Sequence, residues 1–380
     1  MISKLIQKLF SRARLADFCR GLFKWRSWIL LFTGVLVIQW LSVDPLWVES
    51  KYSKGLFPVI SQLQRILTAW LPFSVGDLLY LILLVWLISK TAVFFRDLFR
   101  RRVNIGYLKR GAQRFIFFIL FLYIFFNLLW GLNYSRAGIG HQLQVVPDSV
   151  SASDVGLLTE ALLAKAIRHR AAIPDLDRKN NTSPSQLFTK TGSRFQQQTH
   201  PYSLGEESPV SIKSSLFGSL GNYLGVEGYY NPFTGESQVN TTIPVVLQPF
   251  VALHEVAHQA GYAKESEANF VAYLAGKEHP DPLFRYSVYL QLFRYSYAEL
   301  YRLDSNQAHR IMTKVSPEVK QDLLSIRKFY QSYQTPVDAI ISKGYDYFLR
   351  ANQQPHGTWS YHQVTGWIIA LVRKKGIEVL

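Results

Sequence analysis

Three apolar runs occupy the first third of this chain, at about residues 28–43 (WILLFTGVLVIQWLSV), 75–95 and 115–132. Backbone amides in hydrocarbon must be satisfied within the segment, so runs of this length are predicted to be membrane-spanning α-helices. The first is the shortest and carries Gln39. Trp25, Trp40, Trp130 and Tyr134 sit near the run ends, where amphipathic rings favour the membrane interface. The first run meets Asp44-Pro45 without a small-residue cleavage pattern, so it reads as a retained anchor and not as a signal peptide.

Charge orients the runs. Residues 1–27 carry seven Lys/Arg against Asp17, and residues 96–114 carry seven (Arg96, Arg100, Arg101, Arg102, Lys109, Arg110, Arg114) against Asp97. Residues 44–74 carry only Lys51, Lys54 and Arg65. By the positive-inside rule the N-terminus and the second connection are cytoplasmic, and the third run exits to the other side. The expected organisation is a membrane anchor over 1–134 and an extracytoplasmic domain over 135–380, in a multi-pass protein of the cell membrane. The two basic flanks supply most of the formal net charge of +16, so topology accounts for it. No basic cluster with interleaved aromatics lies elsewhere, and the expected partner is the lipid bilayer and not nucleic acid. Cys19 is the single cysteine, which excludes an internal disulfide and a thiolate metal site.

The chemistry concentrates at residues 254–261, His-Glu-Val-Ala-His-Gln-Ala-Gly. On a helix, positions i and i+4 share a face, so His254 and His258 can direct two imidazoles at one metal ion with Glu255 beside it as a general base. Pro249 suits the first turn of that helix and Gly261 the left-handed position that ends it. A catalytic zinc site takes three protein ligands. A third histidine six residues after the second is absent, because Lys264 stands there, and the nearby anions are Glu265 and Glu267. Glu265 is preferred: it shares a helix face with Asn269, whose amide could accept from a ligating imidazole. Glu267 is the second choice.

The pattern HEVAHQAGYAKESEAN resembles the gluzincin branch of zinc metallopeptidases, whose second helix carries Glu-x-x-Ala-Asp or a close variant. Asn269 stands where Asp is common there, and the gap from His258 to the glutamate is short. With its three apolar runs, the stretch GYYNPFTGESQVN and a helical tail, the whole chain resembles the bacterial membrane-protein family known as domain of unknown function 3810. The resemblance implies a membrane-anchored peptidase that uses Zn2+, and it supplies no substrate.

The expected fold is mainly α, a zincin-like helical domain with a small β-hairpin or sheet. Residues 228–242 read as the hairpin, whose edge a peptide could join. Residues 56–70 read as an interfacial amphipathic helix, 135–150 as a linker, and 173–210 as loop with one short helix. Helices are expected at 153–171, 284–301, 305–315, 317–333, 336–352 and 361–374, the last as a packing helix. Tyr229, Tyr230 and Tyr262 lie near the motif without an assignable role, and His279 reads as a solvated loop residue. The apolar run before His254 is about eleven residues long, too short for an intramembrane site. The competing reading is a non-catalytic membrane protein with a structural or vestigial metal site.

Overall fold

The computed structural model describes residues 25–145, 147, 150–173, 183–199, 210–336, 338–357, 359 and 363–380. Cys19 and the basic residues of 1–24 lie outside the described residues.

Helix α1 (Trp25–Leu41) ends at a sharp bend. Asp44 caps the next turn by accepting from the Leu46 and Trp47 amides, and the chain continues through a π-helical stretch, Val48–Leu56, into α2 (Phe57–Thr68). The two arms of this bend meet at 94°. Helices α3 (Val75–Phe99) and α4 (Ile105–Leu129) follow, capped by Ser74 and Asn104. Each has 25 residues, about 37 Å at 1.5 Å per residue, and each is apolar enough to cross roughly 30 Å of hydrocarbon. Helix α1 has 17 residues, so among the described residues two helices are long and apolar enough to cross a membrane, or three if the bent pair is taken as one span. Helix α4 starts ten residues before the apolar run because Lys109, Arg110 and Arg114 already lie on it. The basic connection thus reduces to a short turn, with Arg100, Arg101 and Arg102 at its start.

Helix α2 turns its polar side inward: Ser61, Arg65 and Thr68 are buried, while Val59, Leu63, Ile66 and Leu67 are exposed. An apolar face directed outward beside two spans is what an interfacial helix requires. Its inner face is fixed to the rest of the protein by Gln64 Nε2 donating to Pro232 O at 2.8 Å and Thr68 Oγ1 to Thr234 O at 3.1 Å.

Beyond the spans the chain is helical around a small sheet. Residues 135–150, expected as linker, include the short helix α5 (Gly138–Leu143). Helix α6 (Ala152–Ala171) begins at a reciprocal capping box between Ser151 and Asp154. Helix α7 (Pro184–Thr199) is longer than the short helix expected within 173–210, and it is held by the buried stripe Leu187, Thr191 and Phe195. Strand β1 (Ile212–Ser214), helix α8 (Gly218–Leu224) and strands β2 (Gly228–Asn231) and β3 (Glu236–Val239) come next. The hairpin is present, antiparallel, pairing Tyr229 with Gln238 and Asn231 with Glu236. Strand β1 adds in parallel to β3, giving the order β1-β3-β2 and leaving β2 at the edge.

Helices α9 (Gln248–Gln259) and α10 (Glu265–Gly276) form the centre of this part, and every residue of both is buried. Helix α11 (Pro282–Leu303) packs along α6, and α12 (Ser305–Met312), α13 (Pro317–Ser332), α14 (Asp338–Ala351) and α15 (Val364–Lys375) complete the fold. Helix α15 buries Val364, Ile368, Ile369 and Leu371, as expected of a packing helix. Each large apolar side chain so buried stabilises the fold by about 1.5–3 kcal/mol. A helix buried on all sides that nevertheless carries His254, Glu255 and His258 must satisfy those groups internally.

Candidate metal centre

Helix α9 has Pro249 in its first turn and ends where Gly261 adopts φ +87°. A Cβ there would also lie 3.0 Å from Phe57 Cε1, so glycine is required both by conformation and by the close approach of the π-helical segment's end. The sharp turn brings α10 back against α9, and Glu265 in its first turn faces both imidazoles.

The Nε2 atoms of His254 and His258 lie 3.1 and 3.4 Å from Glu265 Oε2, and the two rings meet edge to face at 4.6 Å. All three residues are buried, and their ligand atoms lie within 4.8 Å of one another, so this group could hold a metal ion. The remaining ring nitrogens are already engaged. His258 Nδ1 is 2.7 Å from Tyr262 O, a carbonyl that can only accept, so in the neutral ring the proton sits on Nδ1 and Nε2 keeps its lone pair. His254 Nδ1 is 2.7 Å from Asn269 Oδ1. Both imidazoles are thereby aimed with the ligating nitrogen inward.

Glu267 is directed elsewhere. It lies against Gly138, 3.9 Å from Lys264, and burial pushes its carboxyl up. Only Glu265 of the two expected candidates joins the histidines.

Burial and the charges of the three groups oppose one another at this site. Burial disfavours charge on His258, but the Glu265 carboxylate beside it outweighs this and lifts the ring to about 9. Burial likewise opposes ionisation of Glu265, yet the charges and hydrogen bonds of His258 and His254 hold it well below the usual carboxylate range. Burial pushes the Glu255 carboxyl up to about 7, against the pull of His254 and His258. Glu255 Oε2 has no hydrogen-bond partner among the described residues. Its neighbour Gly228 leaves no room for a side chain: a Cβ there would lie 2.7 Å from Glu255 Oε1. The edge strand β2 therefore runs directly past the carboxylate.

Beside the group opens a cavity of about 1130 Å³, lined by Tyr80, Glu227, His254, Glu255, Tyr295 and Tyr345 among others. Tyr345, on α14, points its hydroxyl at Glu265 Oε1, 3.4 Å away. Trp130, read from sequence as an interfacial ring, donates its indole N–H to His258 O at 3.0 Å. Both arrive from distant parts of the chain, and no local spacing announces either. Arg136 donates to Gly261 O at 3.0 Å and to both carboxylate oxygens of Glu49 at 2.7 and 2.9 Å, tying the end of α9 to the π-helical segment. The nearby tyrosines have structural partners: Tyr229 donates to Asp77 and lies 3.0 Å from Ser215 Oγ, and Tyr262 donates to Gln142. His279 is buried, not solvated; it stacks on Phe284 at 3.9 Å and accepts from the Asp281 amide.

No match was found among curated proteins or among solved structures. Residues 52–369, which include the motif helix, its partner α10 and two of the apolar helices, match the family described as protein of unknown function (DUF3810), and the chain belongs to that family.

Proposed function

We propose that this protein is a membrane-anchored, zinc-dependent metallopeptidase, gluzincin-like in its ligand set. The observation that carries the reading is the convergence of His254, His258 and Glu265 with a buried, unpartnered carboxylate oxygen of Glu255 beside them. Two imidazoles and one carboxylate are a known donor set for catalytic zinc, which keeps a further position open. The fit is supported by Asn269 and the Tyr262 carbonyl, which hold the histidines in the required tautomer. A structural site would have no use for Glu255.

When bound, the ion supplies Lewis acidity, polarising a carbonyl and lowering the pKa of water. Glu255 takes a proton from the attacking water and delivers it to the leaving amine, a role open to a carboxylate whose Oε2 has no hydrogen-bond partner among the described residues. The free side of β2 offers backbone groups to an extended peptide, which would align the scissile bond past Gly228. The turn at Arg100–Arg102 lies at the opposite end of α3 from Val75, and by the positive-inside rule this charge supports an extracytoplasmic site.

Metal analysis of the detergent-purified full chain tests this. About one equivalent of zinc is expected, retained by Glu255→Gln and lost by His258→Ala. Peptide-library hydrolysis by the wild type and not by Glu255→Gln completes the test. A chain free of metal overturns the reading; bound metal with no turnover favours a non-catalytic protein with a structural ion.

A further inference from the structure

The sheet beside the metal centre is joined to the first turn of a membrane span. Glu236, fully buried on β3, accepts from the Val75 and Gly76 amides at 3.2 and 2.8 Å and so caps the N-terminus of α3. Asp77, also fully buried, accepts from the Leu216 amide at 2.7 Å and from the Tyr229 hydroxyl. Tyr80, about 4.5 Å further along the helix, packs against Tyr229 and lines the same cavity as His254 and Glu255. Its neighbours Leu79, Leu81 and Ile82 belong to the exposed apolar surface of the span. The cavity therefore has one wall in the first two turns of a helix apolar enough to cross a membrane.

The adjoining rim is apolar and exposed. Residues 214–226 carry no charged side chain. Within them Leu216 is 55% exposed, Leu220 56%, Tyr223 47% and Leu224 42%, and the last three line the cavity. Such a patch facing water would be costly, and its first residue is tied to the start of α3 through the Leu216 amide and Asp77. We propose that α8 rests in the lipid interface, and that the cavity takes a polypeptide that is itself anchored in the membrane, received through its juxtamembrane segment. A chain emerging from a neighbouring anchor reaches the mouth at that level without leaving the surface. The seating follows from the apolar rim alone; the substrate class rests on the peptidase reading.

The full chain, with Cys19→Ser, is reconstituted in vesicles of phosphatidylcholine and phosphatidylglycerol with a nitroxide at Leu220→Cys or, as control, at Leu157→Cys, an exposed position on α6. The label at 220 is expected to relax with oxygen and to be shielded from an aqueous nickel chelate, and the label at 157 to show the reverse. Equal nickel access at the two positions overturns the seating. In the same vesicles, a peptide library carrying a palmitoyl chain is expected to be cut about tenfold faster or more than the identical free library, through its raised effective concentration. Equal rates overturn the substrate class and leave the peptidase reading standing. No cleavage of either library, with the 220 label shielded, overturns the peptidase reading and the substrate class together while the seating holds.

Discussion

Arg136 offers the sharpest test of how the metal helix is held. Its side chain is 3% exposed and that of Glu49 5%, so the pair is out of water. Substituting Arg136→Met leaves the Glu49 carboxylate buried without its bidentate partner, a class of change that costs about 3–5 kcal/mol. The low end applies, because Gln142 Nε2 at 2.6 Å and Lys54 at 3.3 Å remain beside Glu49. The Gly261 carbonyl also loses its donor, which adds about 1 kcal/mol. Arg136→Met should therefore cost roughly 3–4 kcal/mol, and Glu49→Gln roughly 3, since it leaves a buried guanidinium without its carboxylate beside Gly261 O and the Tyr262 ring at 4.6 Å. The double substitution removes both charges and should cost little more than either single one, a coupling of about 2–3 kcal/mol. Thermal unfolding of the detergent-solubilised chain, followed by tryptophan fluorescence, reads this as a fall of about 5–10 °C for each single variant and about the same for the double. Single variants within 2 °C of the wild type, or a double variant that falls by the sum, would refute the argument that this pair fixes the turn after His258.

Three further outcomes are expected. Glu265→Gln should strip the metal during dialysis against a mild chelator while Glu267→Gln keeps it, because only Glu265 faces the imidazoles; the reverse pattern in metal analysis would remove Glu265 from the site. Gly228→Ala should retain metal yet lose about 10²-fold in peptide turnover, since its Cβ would displace the Glu255 carboxylate, and unchanged turnover would show that the strand does not position Glu255. His169, which accepts from Arg285 at 3.3 Å, is lowered to about 4 by burial and by the charge of Arg285 and its other cationic neighbours. Its folded value lies below the unfolded value of about 6.5, so its stabilising contribution is complete above pH about 6.5 and is lost as pH falls toward 4. Melting curves from pH 7 to pH 4.5 should show a steeper decline for the wild type than for His169→Gln, and parallel curves would exclude that group as a source of the acid sensitivity.

The motif region was legible because its signals are local. Pro249, Gly261 and the i, i+4 spacings of His254 with His258 and of Glu265 with Asn269 all act within two helical turns, where sequence separation and spatial separation agree. Helix α7 was harder: its Gln, Ser and Thr content reads as loop, and the stripe of Leu187, Thr191 and Phe195 matters only once a core exists to receive it. Strand β1 pairs in parallel with a segment about 25 residues later, a register that no hairpin signal encodes. His279 beside Pro280 has the local signature of a surface turn, whereas Phe284, five residues later, supplies a stacking partner that buries it.

What sequence spacing does not disclose is that the anchor helps to build the site. Trp130 follows the last residue of α4, a position where an indole ordinarily meets lipid headgroups, yet its N–H donates to the backbone of His258. At the end of α9 the His258 carbonyl accepts from the Gly261 amide at 3.0 Å, and the Trp130 indole adds a second donor from the end of α4. Asn133 reinforces the same corner, accepting from Ser53 at 2.8 Å and donating to Trp130 O at 2.9 Å. Contacts of this kind cross the expected boundary at residue 134 in both directions. They tie the turn that carries Gly261, and through it the approach of Glu265 to the histidines, to the end of α4. Trp130→Phe keeps the ring and removes the N–H. The cost is expected to be about 1 kcal/mol, because the carbonyl loses one donor and keeps the Gly261 amide, together with weaker metal retention. Full retention at wild-type stability would show that the corner is held by ring packing alone.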